Sequence, residues 1–247
     1  MGKPINDYPL VNCDITSNIE KNIFKEINEE LYIVVDEKDI IAKWSHNFEQ
    51  KYAYAMILKK VFNEEPVAFF IDGLRGSGKT YLYRAIIIKI KSNNLIAPAT
   101  SSRVVVSILF GRWTTHLRFK IPLNIEDSNV CNVSKQLGLD ELFQTAKIII
   151  WDEAPMSKWQ SIKCLDRMLW DITYYNILFG YKVIVLGGDF CQVLPIIPRE
   201  TRKEIINTSL LKSYLWSKFL KIRLTQNIQA QLDPLFREYL LRIGNRI

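Results

Sequence analysis

The sequence predicts a three-layer α/β domain around a parallel central sheet, and three observations carry that expectation. First, short apolar runs at residues 67–71, 147–151 and 182–186 have the uninterrupted, β-branched profile of strands buried on both faces. Second, a glycine-rich loop joins the first run to a periodic segment over 80–90, which reads as strand, turn and helix. Third, another periodic segment follows the second run, so strand and helix patterns alternate along the chain.

Taken in order, residues 1–40 read as an N-terminal extension, with a helix over 18–31. A main domain is expected over 41–230, with a polar, weakly periodic insertion at 117–139. After the second strand, Trp159, Ile162, Leu165, Met168, Leu169 and Ile172 recur at three- and four-residue spacing, the apolar stripe of a helix capped by Ser157. The third strand ends in Gly187-Gly188-Asp189, so its carboxyl end is expected to open onto a ligand.

Composition narrows the class. With 247 residues and 48% hydrophobic content the chain can bury a sizeable core, which excludes full disorder. Lys and Arg number 33 against 26 Asp and Glu, and the resulting +7 suits a polyanionic partner. Cys13, Cys131, Cys164 and Cys191 form no C-x-x-C pair, so their spacing suggests neither a zinc site nor a disulfide framework and fits a reduced, intracellular setting. His46 and His116 are too few for a histidine-based metal site. No segment approaches the roughly 18 apolar residues of a membrane span, so no membrane partner is expected.

Chemistry concentrates at Gly73-Leu74-Arg75-Gly76-Ser77-Gly78-Lys79-Thr80, a complete G-x-x-x-x-G-K-[ST] match set between strand and helix. In such a loop Gly73, Gly76, Ser77 and Gly78 turn backbone N–H groups toward phosphate oxygens. The helix start adds positive potential, Lys79 reaches the terminal phosphates, and the Thr80 hydroxyl ligates Mg²⁺. The strand ending in Trp151-Asp152-Glu153 supplies the carboxylates this chemistry needs. Asp152 is expected to hold Mg²⁺ through water, leaving Glu153 as the base that polarises the attacking water. Beyond the third strand, Asp189 accepts from a backbone group or water, and Gln192 offers its amide to a terminal phosphate oxygen.

Together the P-loop, residues 151–156, residues 187–195, and the run 213–219 leading into Leu224-Thr225-Gln226-Asn227 resemble Pif-type helicases, notably their Helitron-associated branch. The resemblance covers about residues 47–229. It implies a RecA-like P-loop NTPase that couples ATP hydrolysis to movement along single-stranded DNA and to unwinding of forked duplexes. DNA repair, recombination and telomere maintenance are the processes implied, and the nucleus is the expected location. It also implies that Gln50 reads the adenine edge and that His116, within Thr114-Thr115-His116, lies near the DNA.

Some positions depart from the family pattern. Arg103 and the valines at 104–106 stand where Gly-Ile-Ala-Ala is usual in a DNA-lining segment, and Arg75 replaces a small P-loop residue. That arginine either supplies charge to the nucleotide or crowds it. Gln229 stands where an arginine usually contacts the terminal phosphate; loss of such a charge costs a factor of about 10³ to 10⁵ in related enzymes. Residues 231–247 read as the start of a second motor half. On these grounds the alternative is a truncated, hydrolysis-deficient relic that binds ATP and DNA.

Overall fold

The structure is a computed structural model and describes residues 47–102, 114–122, 125, 131, 137–190 and 201–228. The extension at 1–40, Gln192, Gln229 and residues 231–247 lie outside the described residues.

Among the described residues the first helix, α1 (Phe48–Phe62), starts at Asn47, whose side chain accepts from the amides of Glu49 at 2.9 Å and Gln50 at 3.4 Å. A cap of this kind stabilises a helix by about 1 kcal/mol. It is followed by β1 (Ala68–Gly73), α2 (Lys79–Lys91), β2 (Ala99–Ser101), a single turn α3 (Thr115–Arg118) and α4 (Leu137–Thr145). Then come β3 (Ile148–Asp152), α5 (Trp159–Thr173), β4 (Val183–Gly188), α6 (Arg202–Asn207) and β5 (Leu220–Leu224). Ser157 does not cap α5: the N-cap position is Lys158, and the Ser157 hydroxyl bonds instead to that of Ser102, 3.0 Å away.

The five strands lie in the order β2-β3-β4-β1-β5, and every pairing is parallel. Parallel strands need helical crossovers, which cover both faces of the sheet, and the alternation of strand side chains shows this directly. Phe69, Ile71, Ile148, Ile150, Val183 and Val185 pack on one face with α1 and α2. Phe70, Ile149, Trp151, Ile184 and Leu186 pack on the other with α4 and α5. The α5 stripe from Ile162 to Ile172 faces this second core, whereas Trp159 stays at its margin, edge-on to Tyr214.

Within 117–139, the described residues include the end of α3, the buried Phe119, Ile121 and Cys131, and the start of α4. Cys131 and Cys164 are joined by a disulfide with their Cα atoms 5.6 Å apart. The spacing of 33 residues gave no sign of it, because distance along the chain does not fix distance in a fold. No helix among the described residues is long and apolar enough to cross a membrane.

Candidate nucleotide site

The carboxyl ends of β1, β4 and β3 meet at one edge of the sheet, and the P-loop leaves from β1 there. Between Gly73 and Lys79 the backbone folds into a tight cradle, with the Ser77 amide donating to the Leu74 carbonyl at 3.1 Å. Gly78 sits at φ +82°, in the left-handed region that favours glycine, and a methyl group on it would stand 2.2 Å from Gln50 Nε2. Lys79 opens α2 with only 7% of its surface exposed, and its ammonium donates to the Gly73 carbonyl inside the cradle. Thr80 follows in the first turn, half-buried.

Gln50 belongs to the same assembly. It is 4% exposed, so it is no solvated polar face, and its Nε2 donates to the Ser77 carbonyl at 2.9 Å. The sequence alone did not reveal how firmly the segment after β5 also grips this loop. Asn227 Nδ2 donates to the Arg75 carbonyl at 3.1 Å, and the Ile228 amide to the Gly76 carbonyl at 2.9 Å. Glu49 closes the ring by accepting from the Thr225 amide at 2.7 Å and from the Thr225 hydroxyl. Burial pushes the Glu49 carboxyl upward, but the bonds from Thr225 and Gln226 outweigh it and leave the group below its usual 4.5. The Arg75 side chain itself is exposed.

Asp152 ends β3, which is not a neighbour of β1; β4 lies between them. The carboxylate can approach the P-loop only across the end of β4, so that end has to be thin. A methyl on Gly187 would stand 1.6 Å from the Tyr83 hydroxyl and 3.2 Å from Asp152 Oδ1, and one on Gly188 would lie 2.3 Å from Pro155 Cδ. Asp152 Oδ1 accepts from the Glu153 amide at 3.0 Å. Glu153 adopts φ +54° and ψ +38°, a left-handed turn unusual for a glutamate, and it swings the chain out of the strand into the short 3₁₀ turn Ala154–Met156. Burial first, then the charges of Asp152 and Glu153, hold the Tyr83 phenol well above its ordinary value. Burial likewise raises Asp72, which the Arg223 guanidinium opposes from 3.7 Å and Asp189 reinforces. Asp189 is buried at the end of β4.

The segment Thr114–His116 reaches the same edge of the sheet. Thr114 bridges to Ser101, the Thr115 hydroxyl lies 3.1 Å from that of Thr100, and the Ser102 amide donates to the Asp152 carbonyl at 3.1 Å. His116 is half-buried on this rim, and burial holds its imidazole below the usual 6.5. Gly73, Gly76, Ser77, Gly78, Lys79, Thr80, Gln50, Asp152 and Glu153 are thus gathered at one end of the sheet, with His116 on the rim beside β2.

The sequence model of the PIF1-like helicase family matches residues 45–242. The chain belongs to this family. It is 28% identical over 173 residues to the ATP-dependent DNA helicase Pif1 of Campylobacter jejuni, covering 66% of this chain and 37% of that protein. It is 26% identical over 180 residues to the ATP-dependent DNA helicase PIF3 of Trypanosoma brucei brucei, covering 72% and 21%. Among solved structures, the Pif1 helicase from Candida albicans aligns with a TM-score of 0.65 at 22% identity, over 80% of this chain and 44% of that one. The Bacteroides Pif1 helicase in complex with ADP-AlF3 and ssDNA aligns with a TM-score of 0.64 at 23% identity, over 78% and 46%. The fold is therefore α/β and RecA-like, as this PIF1-like chain's sequence implied. The chain spans less than half the length of each of these relatives.

Proposed function

We propose that this PIF1-like chain binds ATP with Mg²⁺ in the P-loop and hydrolyses it as part of an ATP-dependent DNA helicase acting on single-stranded or forked DNA. One observation carries the reading. The P-loop and the Asp152-Glu153 pair lie on strands separated by β4, and β4 is reduced to Gly187 and Gly188 where the two must approach.

The residues fit both the nucleotide and the metal. Backbone amides, the Lys79 ammonium and the start of α2 suit a polyphosphate. Thr80 and Asp152 are hard oxygen donors. Among the described residues no trio of His, Cys, Asp or Glu forms a closed metal cage, which suits an ion that keeps waters and phosphate oxygens in its shell. When bound, Mg²⁺ neutralises phosphate charge. In this reading Lys79 holds the terminal phosphates, Glu153 takes a proton from the attacking water, Gln192 contacts the terminal phosphate, Gln50 reads the adenine and His116 lies beside the DNA.

The finer assignments, a Helitron-associated branch, work in repair, recombination or telomere maintenance, and a nuclear location, rest on the resemblance of the sequence motifs alone. A steady-state ATPase assay with and without single-stranded DNA tests the motor. Stimulated phosphate release supports it, and tight nucleotide binding without turnover favours the second reading, a hydrolysis-deficient relic, which Gln229 supports.

A further inference from the structure

Tyr83 lies one helical turn beyond Lys79 on α2, hence on the same face of the helix. The residue is fully buried, and its hydroxyl has no hydrogen-bond partner among the described residues. Leaving a buried hydroxyl in that condition is destabilising, and a phenylalanine fills the same core without that cost. The hydroxyl therefore needs a reason, and its location supplies one. The phenol oxygen fills the place a side chain on Gly187 would take, 1.6 Å from where its β-carbon would stand, and Asp152 Oδ1 lies 3.2 Å from the same point. On its other side Asp152 Oδ1 is already fixed by the Glu153 amide.

We propose that Tyr83 is a positioning residue for Asp152: when nucleotide and Mg²⁺ bind, its hydroxyl donates directly to the Asp152 carboxylate and holds that carboxylate toward Thr80. Tyr83 acts through Asp152 and touches no reacting atom. The inference rests on the nucleotide reading of the site, and it explains why a polar group is kept in a place where packing alone favours a hydrocarbon.

The full chain is compared with Tyr83→Phe, which keeps the ring and removes only the hydroxyl, and with Tyr83→Leu, which removes the ring as well. A fluorescent ATP analogue is titrated first in EDTA and then at rising MgCl₂, and thermal melts are recorded with and without both. In EDTA, both variants should bind the analogue within about twofold of the wild type, while the Mg²⁺ needed for half-maximal tightening rises about five- to tenfold, the worth of roughly one hydrogen bond. The Tyr83→Phe melting temperature without nucleotide should equal or exceed that of the wild type. An unchanged Mg²⁺ requirement in Tyr83→Phe overturns the proposal, as does a loss confined to Tyr83→Leu, since either leaves packing as the sole role. A wild-type chain that binds no analogue sinks the nucleotide reading and this inference together. Intact wild-type binding with unaltered variants removes the inference alone.

Discussion

Gln50 Nε2 donates to the Ser77 carbonyl across 2.9 Å and so ties the first turn of α1 to the phosphate loop 27 residues further on. The bond fixes the amide at the rim of the cradle, in contact with Gly78. If the same amide reads the adenine edge, Gln50→Ala loses both the loop contact and the base contact. ATP affinity should fall about tenfold and GTP affinity much less, as expected from one or two neutral hydrogen bonds. Competition binding with the two nucleotides measures this. An unchanged ATP-to-GTP ratio refutes the adenine role.

Lys79 and Glu153 should fail in different ways. The Lys79 ammonium sits inside the cradle on the Gly73 carbonyl, where a phosphate gives it a better partner, so Lys79→Ala should weaken nucleotide binding about tenfold or more. Glu153 is turned out of β3 by its left-handed backbone and is assigned only to the attacking water. Glu153→Gln should bind as the wild type does and lose turnover by a factor of about 10² to 10⁴. Calorimetry paired with phosphate release separates the two, and equal losses of affinity contradict this division of labour.

At Gly187 a side chain from α2, Tyr83, and one from β3, Asp152, both come close to β4. A methyl group there would stand 1.6 Å from the Tyr83 hydroxyl and 2.7 Å from its ring, and because Tyr83 is fully buried the ring has no open space into which to withdraw. Gly187→Ala should therefore lower stability by roughly 1–3 kcal/mol, the usual cost of overpacking. It should also abolish the stabilisation that ATP-Mg²⁺ gives the wild type. Urea midpoints with and without nucleotide provide the readout, and a variant with wild-type values in both refutes the packing argument.

Much of this was legible in the sequence because the relevant chemistry is contiguous there. The P-loop, the Asp152-Glu153 pair and the buried strands β1, β3 and β4 each sit in an unbroken stretch whose period or spelling speaks for itself. The edge strands were not legible. β2 is three residues long, too short to show a period, and β5 exposes Leu220, Lys221 and Arg223, so it reads as polar chain. Charged residues there suit a strand whose outer edge must not recruit another. The contacts Gln50–Ser77, Asn227–Arg75 and Glu49–Thr225 were hidden for a different reason: they join residues far apart in sequence, and only the strand order brings them together. The two glycines of β4 could be seen, but not what crowds them, since Tyr83 and Pro155 come from other elements.

Asp166 offers a test of the fold that is independent of the nucleotide. It lies on α5 almost completely buried and accepts from the Phe179 amide in the tight turn before β4. Burial pushes its carboxyl up from 3.8 to about 6, with the Phe179 bond, Trp170 and Arg167 opposing. A carboxyl raised in the folded state favours folding while it is protonated. Its contribution is therefore fully present below 3.8 and is lost as pH rises through about 6. Asp166→Asn keeps an acceptor for the Phe179 amide but cannot ionise. Relative to wild type, the variant should gain stability as the buffer is taken from about pH 4 to about pH 7, with the gain accumulating between 3.8 and about 6 and levelling off above. Urea unfolding midpoints of the two proteins across that range decide the matter, and a difference that stays constant with pH shows that Asp166 is already ionised in the folded chain at low pH.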